Sequence, residues 1–111
     1  MQPYVVVAHS KAQPGRGDAL YELLTDVVRA SFEAEPQLLT YAVSRVEGTN
    51  DEFLHISVYE TPEGFQTHRD SDHVARFFEQ AADLLDGEIE IRRSRLAPVS
   101  EDPRATLVRS K

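Results

Sequence analysis

The stretch "YETPEGFQTHRDSDH" (59–73) gathers the side chains of this chain best suited to moving a proton. His68 and His73 stand five apart, after Tyr59 and a Thr-Pro-Glu turn. Histidine is the side chain whose ordinary titration falls between pH 5 and 8, so it can accept a proton at neutral pH. Tyrosine and serine hydroxyls can donate to an oxyanion. Together they could deprotonate a weakly acidic hydroxyl and steady the anion. Metal binding is the competing chemistry. Paired helical histidine ligands usually sit at i, i+4. His68 and His73 miss that spacing, and a helix break is expected between them. Asp70 and Asp72 fall in a capping segment where Asp is expected anyway. No metal ligand is therefore assigned. A nucleophilic triad is also disfavoured, because Ser57 and Ser71 lack a glycine-flanked elbow.

Other candidates follow from periodicity. Residues 53–59 alternate, so Phe53, His55, Ser57 and Tyr59 share one strand face. Phe65 and His68 are three apart and share a helix face. Phe65 would anchor that short helix and turn His68 towards the sheet edge. If the strand face looks towards the helices, a cavity forms between them. His55, Ser57, Tyr59, His68 and His73 would line it, with Phe65, Phe77 and Phe78 as walls. Apolar walls with a few polar groups suit a flat aromatic ligand. In this reading His68 is the proton acceptor or oxyanion partner, and His73 and Tyr59 support it. Plainer readings stay open: His73 as a helix cap, His55 as a cross-strand partner, Tyr59 and Tyr41 as core. His9 is offset from the cavity face and reads as structural. Arg92, Arg93 and Arg95 read as solvated or paired with acidic neighbours.

The elements that must position these residues are legible in the pattern. "YVVVAHSK" (4–11) is a strand, broken by Gln13-Pro14-Gly15. Residues 18–35 carry Leu20, Leu23, Leu24, Val27, Val28 and Phe32 as one stripe of an amphipathic helix, ended by Pro36. "LLTYAVSRV" (38–46) and "FLHISVY" (53–59) are strands joined by the polar turn 47–52, a hairpin. Thr61-Pro62 caps and opens a short helix. Ser71 or Asp72 caps the next, whose apolar face is Val74, Phe77, Phe78, Ala81, Leu84 and Leu85. Asp86-Gly87 stops it, and residues 88–96 form a fourth strand. The order β-α-β-β-α-β predicts an α+β, ferredoxin-like fold with an antiparallel sheet. Strands one and two are apolar on both faces, which predicts that both are buried. The helices cover only one, so the other is expected to pack against a second copy, sheet to sheet.

Composition sets the outer limits. The chain has 111 residues, a net charge of −7 and no cysteine. That length predicts one domain, placed at 1–98, with a polar C-terminal tail at 99–111. The acidic balance argues against nucleic acid. Nothing approaches a run of 18 apolar residues, so a soluble, cytoplasmic protein without membrane association is expected. The missing cysteines remove disulfides, thiolate nucleophiles and Fe–S clusters. With no nucleotide fingerprint either, no cofactor is expected.

The segments "AQPGRGDALYELL" (12–24), "EAEPQLLTYAVSR" (33–45) and "ISVYETPEGFQTHRDSDHVARFFE" (56–79) resemble the antibiotic biosynthesis monooxygenase family. The resemblance spans residues 4–97. Its most specific part is the H-x-x-S-x-H pattern preceded by an aromatic and an acidic residue. It implies a dimeric α+β barrel and cofactor-independent oxygenation of a phenolic, quinol or anthrone-like substrate by dioxygen. Isomerases and members without oxygenase activity belong to the same family. A ligand-binding or isomerase protein and a structural dimer with a vestigial cavity are therefore the alternatives. The chain departs from the family in three places. Gln37 replaces the Gly of Glu-Pro-Gly, and Ser57 and Tyr59 replace an acid and a Trp at the end of strand three. The haem-degrading branch uses that Trp and an axial His where this chain offers Phe77 and Phe78, so haem chemistry is not expected.

Overall fold

A computed structural model describes residues 3–97; the expected tail at 99–111 lies outside the described residues. Each element forms where its residues require it. The elements run β1 (Tyr4–Lys11), α1 (Gly17–Ala34), β2 (Leu38–Arg45), β3 (Glu52–Tyr59), α2 (Pro62–Arg69), α3 (Asp72–Ala81) and β4 (Glu90–Arg95). The strands form one sheet in the order β2-β3-β1-β4, antiparallel throughout. The expected ferredoxin-like fold is therefore present.

Register decides which side chains reach the site. Val6 pairs with Ser57 and Arg93, Ala8 with His55 and Ile91, and Tyr41 with Ser57. Since side chains alternate along a strand, these residues share the helix-facing side. Phe53, His55, Ser57 and Tyr59 are all buried there, as the alternation predicted. The opposite side carries Val7, Leu54 and Ile56, with Leu39 near the strand end. These are 37%, 44%, 43% and 45% exposed. The expectation of two buried faces is thus not met within a single chain: the outer face is apolar and open.

The helix α1 buries Leu20, Leu24, Val27 and Ser31. Phe32, expected on the same stripe, is 46% exposed. At 3.6 residues per turn, position i+12 has rotated about 120° from i, and the buried stripe runs through Ser31 instead. The stripe continues past the helix to Glu35, the C-cap residue, which is 5% exposed. At the other end, Asp51 from the hairpin turn accepts from the N–H groups of Gly15 and Gly17 at 3.2 and 3.0 Å. Gly17 has no alternative here, since a Cβ would stand 1.8 Å from the Asn50 carbonyl oxygen.

Each short helix starts on its own cap, and the second cap falls in the break between them. Thr61 accepts from the Gly64 N–H, with Pro62 at the first helical position. Ser71, rather than Asp72, accepts from the Val74 N–H. Gln37, the departure before β2, accepts a 2.6 Å hydrogen bond from Thr61 and so ties the β2 entrance to the α2 cap. The core is in two parts. Leu20, Leu24, Phe53, Phe77 and Leu84 belong to one, and Val6, Leu38, Tyr59 and Phe65 form the other. Each fully buried large apolar side chain contributes roughly 1.5–3 kcal/mol. Among the described residues no helix is long and apolar enough to cross a membrane.

Candidate functional site

A cavity of about 270 Å³ opens between the sheet and the helices. Its polar lining comes from Tyr41, His55, Ser57, His68 and Arg69, and its walls include Val6, Leu24, Phe65, Phe77 and Phe78. Of the residues expected there, His55, Ser57, His68, Phe65, Phe77 and Phe78 are present. Phe78 is 48% exposed and stands edge-on to Phe77 with ring centroids 5.3 Å apart, so it borders the opening.

The two histidines of the opening motif meet on one carboxylate. His68 Nδ1 lies 2.9 and 3.1 Å from the two Glu35 oxygens. His73 Nε2 lies 2.5 Å from Glu35 Oε2. A carboxylate only accepts, so both ring nitrogens facing it must carry hydrogen. His68 is thereby set as the Nδ1–H tautomer with its lone pair on Nε2. Among the described residues that Nε2 has no hydrogen-bond partner and is not a buried unsatisfied atom, while the ring lines the cavity. Burial lowers the His68 pKa, and the hydrogen bond and charge of Glu35 oppose that shift.

His73 is not the cap, since Ser71 holds that role. Its side chain turns back to Glu35 and borders a smaller groove between α1 and α3, not the main cavity. Tyr59 is fully buried and does not line the cavity either. Phe65, a wall residue, packs against it at 5.5 Å between ring centroids. Burial pushes its hydroxyl pKa up to about 12, and Ser57 opposes this without reaching hydrogen-bond geometry. The place expected for Tyr59 belongs to Tyr41, whose ring stands edge-on to His68 at 5.6 Å. Burial raises the Tyr41 pKa further, followed by the charges of Tyr59 and Glu35, so its O–H stays a donor.

His55 forms the far wall. Its Nε2 is 2.7 Å from the buried Ser10 hydroxyl, and burial, with His9 adding to it, lowers its pKa to about 4. His55 is therefore neutral at physiological pH. His9 points to the other face, where its Nε2 is 3.1 Å from Glu52, consistent with its structural reading.

Glu35, Ser10 and Arg69 are the site residues that the sequence reading passed over. Glu35 could have been found, because it continues the buried spacing of Leu20, Leu24, Val27 and Ser31 immediately before Pro36. It also changes the metal argument, which had weighed only His68, His73, Asp70 and Asp72, all within one short stretch of the chain. Glu35 Oε, His68 Nδ1 and His73 Nε2 lie within 4.8 Å of one another, a two-histidine, one-carboxylate grouping that could hold a divalent cation. Here each donor is engaged by another.

Residues 3–80 match the family model described as antibiotic biosynthesis monooxygenase. The chain belongs to the antibiotic biosynthesis monooxygenase family. Solved structures share its fold at low identity. One is the Pseudomonas aeruginosa protein PA3566, 23% identical, with a TM-score of 0.75 over 90% of this chain and 97% of that one. A candidate antibiotic biosynthesis monooxygenase from Caulobacter crescentus CB15 is 18% identical, covering 86% and 90%, with a TM-score of 0.80. Another from Nitrosomonas europaea is 14% identical, covering 94% and 95%, with a TM-score of 0.81. Among curated proteins, none matches this sequence. Family membership supplies a monooxygenase-like fold, and the site has to supply the chemistry.

Proposed function

We propose that this protein is a cofactor-independent monooxygenase of a small phenolic, quinol or anthrone-like compound, with His68 as the general base. The observation that carries this reading is the orientation of His68. Glu35 occupies its Nδ1–H, which leaves the Nε2 lone pair for a hydroxyl bound in the cavity. Transfer of the hydroxyl proton to Nε2 gives an aryl oxyanion and an imidazolium. The Glu35 carboxylate stabilises that imidazolium in a site largely shielded from water. Tyr41 and Ser57, which line the same cavity, donate to the oxyanion in this reading. The electron-rich anion is itself the reductant: one oxygen atom of dioxygen is inserted at a ring carbon in place of its hydrogen, the other leaves as water with that hydrogen and the proton held on His68, and the substrate ends as a quinone. His73 acts through Glu35 and is a positioning residue.

The cavity size fits this substrate class. A void of about 150 Å³ accepts benzene, so 270 Å³ suits one or two rings. The open apolar face of the sheet supports the accompanying proposal of a homodimer. Val7, Leu39, Leu54 and Ile56 on that face have no cover in the single chain.

The test is oxygen uptake with quinols, naphthols and anthrones by chelator-treated protein, wild type beside His68→Ala. Uptake by the wild type and its loss in the variant are expected. Unchanged turnover in His68→Ala would remove His68 from the chemistry. Turnover abolished by chelation and restored by zinc would assign the Glu35–His68–His73 grouping to a cation instead.

A further inference from the structure

The cavity rim carries a charge pattern that the chemistry above does not use. Arg69 and Arg93 both lie over the Phe65 ring, at 5.7 and 5.2 Å from its centroid. Phe65 is buried and forms part of the cavity wall, and Arg69, itself exposed, lines the same cavity. Arg93 follows Ile91, another lining residue, on the same face of β4, because Val6 and Ala8 pair with Arg93 and Ile91. The inner face of β4 therefore passes from the lining residue Ile91 to the Arg93 guanidinium over Phe65. Neither arginine forms an ion pair among the described residues, as is also the case for Arg16, Arg76, Arg92 and Arg95; what sets Arg69 and Arg93 apart is that both lie over one cavity-wall ring. Stacking on an aromatic face leaves the N–H edge of a guanidinium free, and that planar fork matches a carboxylate.

We propose that Arg69 and Arg93 form a carboxylate-binding site at the rim, so that the ligand of this cavity is a hydroxylated aromatic acid. The ring lies between Phe65 and the apolar walls, the hydroxyl is directed inward and the carboxylate stays at the mouth. The hydroxyl assignment rests on the function proposed above; the carboxylate assignment rests on the rim alone.

The test is direct binding by calorimetry at low salt. The probes are 1-hydroxy-2-naphthoate and 6-hydroxy-2-naphthoate, each against its neutral carboxamide, with oxygen uptake recorded separately. These two acids place the hydroxyl beside the carboxylate or at the opposite end. At least one acid should bind tenfold or more tightly than its amide. The double variant Arg69→Gln/Arg93→Gln should bring acid and amide within about twofold of each other. Both arginines are exposed, so the variant should fold. Equal binding of acids and amides by the wild type would overturn the proposal. So would a preference that survives the double variant, or no binding of any probe. Arginine-dependent binding of an acid without oxygen uptake would leave the carboxylate site standing and remove the oxygenase reading.

Discussion

Replacing Glu35 by Gln separates the chemistry of the site from its folding. The side chain is buried, and its only hydrogen-bond partners among the described residues are the rings of His68 and His73. Gln keeps the shape and removes the charge. A hydrogen bond to a charged group is worth roughly 1.5–3 kcal/mol. Losing it at the moment His68 becomes an imidazolium should lower kcat/KM by about 10- to 150-fold, at 1.36 kcal/mol per tenfold. Stability should move less, by about 2 kcal/mol or under, because a buried charge disappears together with its favourable contacts. Glu35→Ala, by contrast, strands two imidazole donors and should cost roughly 3–5 kcal/mol. The pH profile carries the mechanistic information. Glu35 opposes the lowering of the His68 pKa by burial, so removing its charge lets that pKa fall further. Since the base works only when unprotonated, the acid limb of kcat/KM should shift to lower pH, beneath a lower plateau. NMR titration of the His68 ring beside initial rates of oxygen uptake reads both effects. An unchanged His68 titration with unchanged rates in Glu35→Gln would refute the idea that the carboxylate tunes the base.

Two further outcomes follow from burial. His55 titrates near pH 4 in the folded state because of burial, against an ordinary value of 6.5. The unfolded chain therefore binds the extra proton between those pH values. Stability should hold above pH 6.5 and fall by roughly 3 kcal/mol as the pH drops to 4, with His68 adding in the same sense. Urea unfolding across that range measures this, and an equal pH slope in His55→Gln would show that His55 is not its source. On the outer sheet face, Ile56→Lys places a charge in the centre of the apolar patch and should convert a dimer to monomers in sedimentation. A wild type that already sediments as a monomer would remove the sheet-to-sheet interface.

The elements were largely legible because their signals are local. β1 opens on Tyr4 and three consecutive valines, and its ends fall at the residues expected from the sequence. Thr61-Pro62 and Ser71 announce their helices by cap chemistry. Alternation in β3 was enough to place His55 and Ser57 on the cavity. What escaped depends on contacts distant in sequence. Glu35 is 33 and 38 residues from the histidines it joins, and no spacing rule connects them. Tyr41 and Tyr59 both face the helices, and only the seat of Phe65 over Tyr59 decides which hydroxyl can meet a ligand. Phe32 was misplaced by extending an apolar stripe three turns without correcting for its drift.

The gap between α2 and α3 has a consequence of its own. In one continuous helix, residues five apart differ by about 140° in azimuth and roughly 7.5 Å along the axis. Two such imidazoles could not approach a single carboxylate. The Ser71 cap ends one helix and starts another, and across that break both rings reach Glu35, so the link between His68 and His73 is stored in the length of a turn. A one-residue insertion at Asp70–Ser71 would leave every side chain of the site intact. It would still break their convergence on Glu35, which makes the punctuation of the chain as much a part of the site as its histidines.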